Sequence, residues 1–171
     1  SKFNKALNAA GKIRSAIELG ANIGLNADAL KAIFPELEYT GVEIGDKAFK
    51  ILKSNPSVDK CIHQSIHEFE SREKYDLAMI CGVMIHLNPE TLKSVYKLLA
   101  NLSKKYVLIS EYYNPDPVEV IYRGHKGKLF KRDFAKEFMD ETGFKLVDYG
   151  FMYRHDPKFR HADMTWFLLE K

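Results

Sequence analysis

Ile17-Glu18-Leu19-Gly20-Ala21-Asn22-Ile23-Gly24 reads as an apolar strand that ends on an acid and enters a glycine-bearing turn. A helix pattern follows, and Thr40-Gly41-Val42-Glu43 closes a second strand on another acid. This is the layout of a nucleoside-binding α/β domain, with the ligand at the carboxyl ends of the first two strands. Gly20 lets the chain turn tightly, and Gly24 is expected to let the next helix pack close to the strand. The pattern is E-x-G-x-x-x-G, with Asn22 at a position where glycine is common. Asparagine also tolerates left-handed backbone angles.

The two acids select among nucleosides. Glu18 lies two residues before Gly20, where a dinucleotide's pyrophosphate would approach the backbone and be repelled by a carboxylate. The ammonium of a methionine moiety beside a sulfonium would instead be attracted. Glu43 suits the ribose hydroxyls. The expected cofactor is S-adenosylmethionine, with S-adenosylhomocysteine as its product.

Strands and helices alternate along the chain, which predicts a mainly parallel sheet with helices on both faces. Strands are expected at 15–18, 38–43, 60–63, 75–81 and 106–112, with helices at about 26–34 and 46–53. Tyr75–Cys81 is a continuous apolar run, as a central strand buried on both faces requires. Pro89 is placed in a first helical turn, where its missing N–H costs nothing. Leu92, Val95, Tyr96 and Leu99 then give that helix a buried stripe. After a loop over 113–127 and a helix over about 131–141, two extended segments (145–153 and 164–170) follow with no helix between them. A C-terminal antiparallel strand pair closing a mostly parallel seven-stranded sheet is the Rossmann-like arrangement of class I methyltransferases.

At 171 residues, 46% hydrophobic and 29% charged, the chain has the makings of one globular domain spanning 1–171. It begins only about a dozen residues before the first strand, so a lid segment over the cofactor is expected to be missing or trimmed. No apolar run approaches a membrane span, and no signal-peptide pattern opens the chain. Cys61 and Cys81 belong to no metal-type cluster, which suits buried thiols in the cytoplasm. The net charge of +3 does not by itself argue for nucleic acid. Arg123, Lys126, Lys128, Lys131, Arg132 and Lys136 nevertheless crowd one segment, an anion-receiving surface or a solvated face.

Further site residues follow from their positions at strand ends. Gln64 or Ser65 is expected to bond the adenine amine and Ile66 to pack on its ring. Gly82 and Val83 are expected beside the methionine part of the cofactor. His63 and His67 straddle a strand end, so no metal site is expected there, and the 155–163 connection is expected to be a surface turn. His86 follows the fourth strand, and His125 and Tyr113 follow the fifth; these are the candidate catalytic groups. Tyr112, Tyr113 and Asn114 are expected to shape an acceptor pocket, with Arg123 clamping a carboxylate or phosphate. No N/D/S-P-P-aromatic motif follows the fourth strand, which disfavours methylation of base amino groups.

Five stretches carry a more specific likeness: Glu111–Pro117 (EYYNPDP), Tyr122–His125 (YRGH), Leu129–Phe134 (LFKRDF), Leu146–Phe151 (LVDYGF) and Asp163–Lys171 (DMTWFLLEK). They resemble the pseudaminic acid biosynthesis-associated methylases, a family of S-adenosylmethionine-dependent methyltransferases, over about Ser15 to Lys171. The resemblance implies a role in bacterial surface-glycan biosynthesis. It also implies that Glu18, Gly20 and Gly24 hold the methionine moiety and Glu43 the ribose. The acceptor would be a small anionic nonulosonic sugar acid, or its nucleotide-activated or glycan-linked form. Two other readings stand beside it. An RNA or protein methyltransferase would use the basic segment to track phosphates, and its sign would be steeply salt-dependent RNA binding. A non-catalytic S-adenosylmethionine-binding protein would bind the cofactor without forming a methylated product.

Overall fold

The computed structural model describes residues 2–7, 10–157 and 162–171. In chain order these form α1 (Lys2–Leu7), β1 (Ser15–Leu19), α2 (Leu25–Lys31), β2 (Glu38–Glu43), α3 (Asp46–Lys53), β3 (Lys60–His63) and β4 (Tyr75–Cys81). A 3-10 turn at Met84–His86 and another at Pro89–Thr91 lead into α4 (Leu92–Leu102). Then come β5 (Ser103–Glu111), β6 (Val118–Glu119), β7 (Phe130–Lys131), α5 (Phe134–Thr142), β8 (Lys145–Met152) and β9 (Met164–Glu170).

Seven strands make one sheet in the order β3-β2-β1-β4-β5-β9-β8. The first five pair in parallel. β9 runs antiparallel to both β5 and β8, so the last strand inserts between its predecessor and the parallel block. Side chains alternate between two cores, as the strand period of two demands. Ala78, Ile80, Val107, Ile109 and Leu169 face Val95, Tyr96 and Leu99 of α4 and Phe138 of α5. Leu77, Met79, Leu108 and Leu168 face Phe3 of α1 and Leu30 of α2. Burial on both sides explains why β4 reads as an apolar run after Asp76, from Leu77 to Cys81. Every parallel strand therefore points its carboxyl end to one edge of the molecule, and the site is built there.

Several boundaries differ from the expected ones; α2, for example, ends at Lys31 rather than 34. β5 starts at Ser103 because α4 passes straight into it, and the Ser103 hydroxyl donates to the Tyr106 carbonyl at 2.9 Å. α5 starts at Phe134 because Asp133 caps it, accepting from the Lys136 N–H at 2.9 Å. The loop after β5 is not irregular throughout: β6 and β7 pair antiparallel. Val120 donates to the Leu129 carbonyl, and the tip closes through reciprocal backbone bonds between Tyr122 and His125. Arg123 and Gly124 between them have φ of +50° and +80°, the two left-handed residues that a tight hairpin turn needs. The 155–163 connection lies partly outside the described residues, and no helix among the described residues is long and apolar enough to cross a membrane.

Candidate functional site

The first turn is built from three left-handed positions at alternate residues: Gly20 at φ +76°, Asn22 at +49° and Gly24 at +89°. The N–H groups of Gly20 and Ala21 both donate to the Val42 carbonyl at 2.9 Å, which ties the turn to the end of β2. A Cβ on Gly20 would lie 2.5 Å from Val83 Cγ2, so the loop after β4 rests directly on this glycine. Gly24 behaves differently from expectation. A Cβ there would meet Asn55, Leu52 and Val58, so this glycine accommodates the end of α3 rather than packing of α2 on its own strand.

Glu43 organises the same turn. Its Oε2 accepts from the Asn22 N–H at 2.8 Å and its Oε1 from the Gly45 N–H at 2.7 Å. Each oxygen has a second lone pair, so a carboxylate fixed in this way can still accept from two vicinal hydroxyls. Beside it, the Gln64 N–H donates to the Glu43 carbonyl at 3.2 Å. The Gln64 amide donates to the Glu68 carbonyl, and the Ser65 hydroxyl accepts from the His67 N–H. Ile66 packs against the core. His63 stacks on Phe49 at 4.3 Å, and its Nε2 lies 3.1 Å from the Ile44 carbonyl. Among the described residues, no group of three metal-ligating side chains gathers.

Glu18 is 1% exposed and held from two elements. The Asn26 amide donates to its Oε1 at 2.6 Å, and the Tyr39 hydroxyl donates to its Oε2. Burial, and then the adjacent Glu18, push the Tyr39 hydroxyl's pKa well above its ordinary value. Tyr96 is raised in the same direction by burial and by its bond to Glu137. Both keep their protons when folded above pH 10.0, where an unfolded tyrosine ionises. The folded state then binds more protons than the unfolded one, so stability falls as pH rises past that value. Urea midpoints are expected to be level below about pH 10 and to decline above it. The decline should be shallower in Tyr39→Phe; an unchanged slope would contradict the assignment.

Glu111 is the residue that sequence reasoning passed over. It is 2% exposed at the end of β5, and its Oε1 accepts from the N–H groups of both Val83 and Met84 at 2.9 Å. Gly82, at φ +67°, donates to the Ser110 carbonyl. The loop after β4 is thus hung from β5 on one side and seated on Gly20 on the other. The signal was present, since Glu111 is a strand-ending acid like Glu18 and Glu43, but its partners lie about 28 residues away in sequence.

At the hairpin after β5 the structure brings together His86, Tyr122 and Lys128. His86 Nδ1 lies 2.8 Å from the Lys128 carbonyl, and its ring leans on Tyr122 at 5.6 Å. A carbonyl only accepts, so Nδ1 carries the proton and Nε2 is the lone-pair nitrogen of the neutral ring. His125 closes the hairpin tip through its backbone. The Arg123 guanidinium lies over the Tyr122 ring at 5.2 Å. Tyr112 sits under the Lys131 ammonium at 5.5 Å, and Tyr113, 42% exposed, turns toward Phe167 at 6.2 Å. The Asn114 amide donates to the Asp116 carbonyl. Among the described residues, no hydrogen bond or ring contact joins Tyr112, Tyr113 or Asn114 to Arg123.

No family model and no curated protein matches the chain. Solved structures do. The 1,6-didemethyltoxoflavin N1-methyltransferase of Burkholderia thailandensis, with S-adenosylhomocysteine bound, is similar at a TM-score of 0.74 and 15% identity over 98% of this chain and 75% of that one. The magnesium protoporphyrin IX methyltransferase of Synechocystis, with S-adenosylmethionine bound, is similar at 0.68 and 15% identity over 96% and 72%. An O-methyltransferase from a Brevibacillus brevis polyketide multienzyme, with S-adenosylhomocysteine bound, reaches 0.74 at 11% identity over 99% and 71%. The likeness is one of architecture: this chain has the Rossmann-like fold of the class I S-adenosylmethionine-dependent methyltransferases.

Proposed function

We propose that the protein is an S-adenosylmethionine-dependent methyltransferase whose acceptor is a small anionic molecule. The acceptor class we favour is a nonulosonic sugar acid of the pseudaminic type, free, nucleotide-activated or glycan-linked, in bacterial surface-glycan biosynthesis. The observation that carries the reading is Glu43: a carboxylate at the end of β2, pinned by the Asn22 and Gly45 N–H groups and still able to accept from ribose hydroxyls. The glycine turn and the neighbouring acids suit the rest of the cofactor. Glu43 would hold the ribose, Glu18 would attract the ammonium, and Gly20, Asn22 and Gly24 would let the backbone approach the methionine moiety. Gly82 and Val83 would line its other side, and Gln64, Ser65 and Ile66 would meet the adenine.

When bound, the cofactor supplies an electrophilic methyl group on a sulfonium. The chain's own part is to position an acceptor oxygen or nitrogen and to remove its proton. His86 is suited to that task because its Nε2 lone pair is left open by the bond from Nδ1 to Lys128. His125 and Tyr113 are the alternative groups for the same proton. Arg123 would meet the acceptor's carboxylate or phosphate, and Tyr112, Tyr113 and Asn114 would shape its pocket. A cytoplasmic setting is part of the same proposal.

The test is methyl transfer from labelled S-adenosylmethionine to nonulosonic acids and their nucleotide-activated forms. A methylated product is expected, and Arg123→Ala should raise the acceptor KM about tenfold while leaving cofactor affinity intact. Unchanged acceptor kinetics would remove Arg123 from the site. Cofactor binding without any methylated product would favour the non-catalytic reading.

A further inference from the structure

Tyr39 is fully buried on β2 among apolar neighbours that a phenylalanine would fill equally well, so packing alone does not account for its hydroxyl. That hydroxyl donates to Glu18 Oε2, while the Asn26 amide, on the first turn of α2, donates to Oε1 at 2.6 Å. The two donors reach the carboxylate from separate elements, α2 and β2. We infer that Tyr39 and Asn26 are positioning residues for the amino-acid end of the cofactor, holding the Glu18 carboxylate in one orientation for the methionine ammonium. The inference rests on the S-adenosylmethionine reading above and adds to it two residues and a division of labour.

The arrangement of the donors supports it. A free glutamate side chain has substantial rotamer freedom, which would otherwise be lost on binding; two tethers remove it in advance. Both groups facing the carboxylate are donors, so neither competes with it for an ammonium's protons. Burial keeps the Tyr39 hydroxyl protonated, so it remains a donor throughout the physiological range. Asn26 is only half-buried, so the network runs from the core to the mouth of the turn.

The division of labour gives the test. Glu43 serves the ribose, whereas Tyr39 and Asn26 serve only the amino-acid end. Titration calorimetry of the purified chain would use S-adenosylhomocysteine and 5′-methylthioadenosine, which keeps the adenosine and the sulfur but lacks the amino acid. Tyr39→Phe and Asn26→Ala are each expected to weaken S-adenosylhomocysteine about tenfold and to leave 5′-methylthioadenosine unchanged. A purely structural role would lower both affinities together. Equal losses for both ligands, or no loss for either, in variants that fold would overturn the inference while the cofactor reading stands. The exposed-side variant Asn26→Ala decides the matter if Tyr39→Phe does not fold. A wild-type chain that binds neither ligand overturns the cofactor reading, and this inference with it.

Discussion

Gly20→Ala is expected to lower the melting temperature by about 10 °C and to weaken S-adenosylhomocysteine by at least about tenfold. Two separate penalties meet at this residue. Its φ of +76° belongs to the left-handed region, which costs an alanine about 1–2 kcal/mol. The new Cβ would also lie 2.5 Å from Val83 Cγ2 and 3.4 Å from Cγ1, an overpacking that costs about 1–3 kcal/mol more. Relief requires the Val83 side chain to move while its backbone N–H is held by Glu111, so the strain is expected to pass into the loop after β4. Gly127→Ala is the control. It shares a positive φ of +68° but its Cβ would meet nothing within 4 Å, so only the backbone penalty applies and cofactor affinity should not change. Equal effects of the two substitutions, read by thermal unfolding and calorimetry, would show that the Gly20–Val83 contact is unimportant.

Glu111→Ala should be nearly as severe. It leaves the Val83 and Met84 N–H groups without their acceptor, and a buried unsatisfied donor costs about 1–3 kcal/mol. The loop from Val83 to His86 would then keep only the Gly82 backbone bond to Ser110 of β5, so both cofactor affinity and any methyl transfer should fall by a factor of about 100. Glu111→Gln retains an oxygen that can accept from both N–H groups and is expected to recover most of the loss. Amide hydrogen exchange separates the cases: Met84 should lose protection in the alanine variant and keep it in the glutamine variant. Unchanged protection in Glu111→Ala would mean that the loop is held by other contacts.

What could be read before the structure was local or periodic. The unbroken run Leu77-Ala78-Met79-Ile80 announces a strand buried on both faces, and Glu18 and Glu43 announce themselves as acids at strand ends beside glycines. The C-terminal pair was visible because no helical period separates residues 145–153 from 164–170. What escaped was long-range. β6 and β7 are two residues each, too short for a period of two to be seen, and their Arg-Gly turn is a weaker signal than Asn-Gly. Gly24 was read against its own strand because those residues are adjacent in sequence, whereas its close neighbours are Asn55, Leu52 and Val58. The Glu111 bonds join β5 to the loop after β4 and the Tyr39–Glu18 bond joins β2 to β1, and nothing in either local stretch identifies the partner. Tyr112, Tyr113, Asn114 and Arg123 are close in sequence, yet the hairpin carries Arg123 to its tip.

The central claim is that the two strand-ending acids and the glycine turn between them make a site for S-adenosylmethionine rather than for a dinucleotide. Titration calorimetry of the purified chain with S-adenosylmethionine, S-adenosylhomocysteine and NAD addresses it directly. The account predicts micromolar binding of the first two and none of NAD. Binding of NAD, or of none of the three, would contradict it.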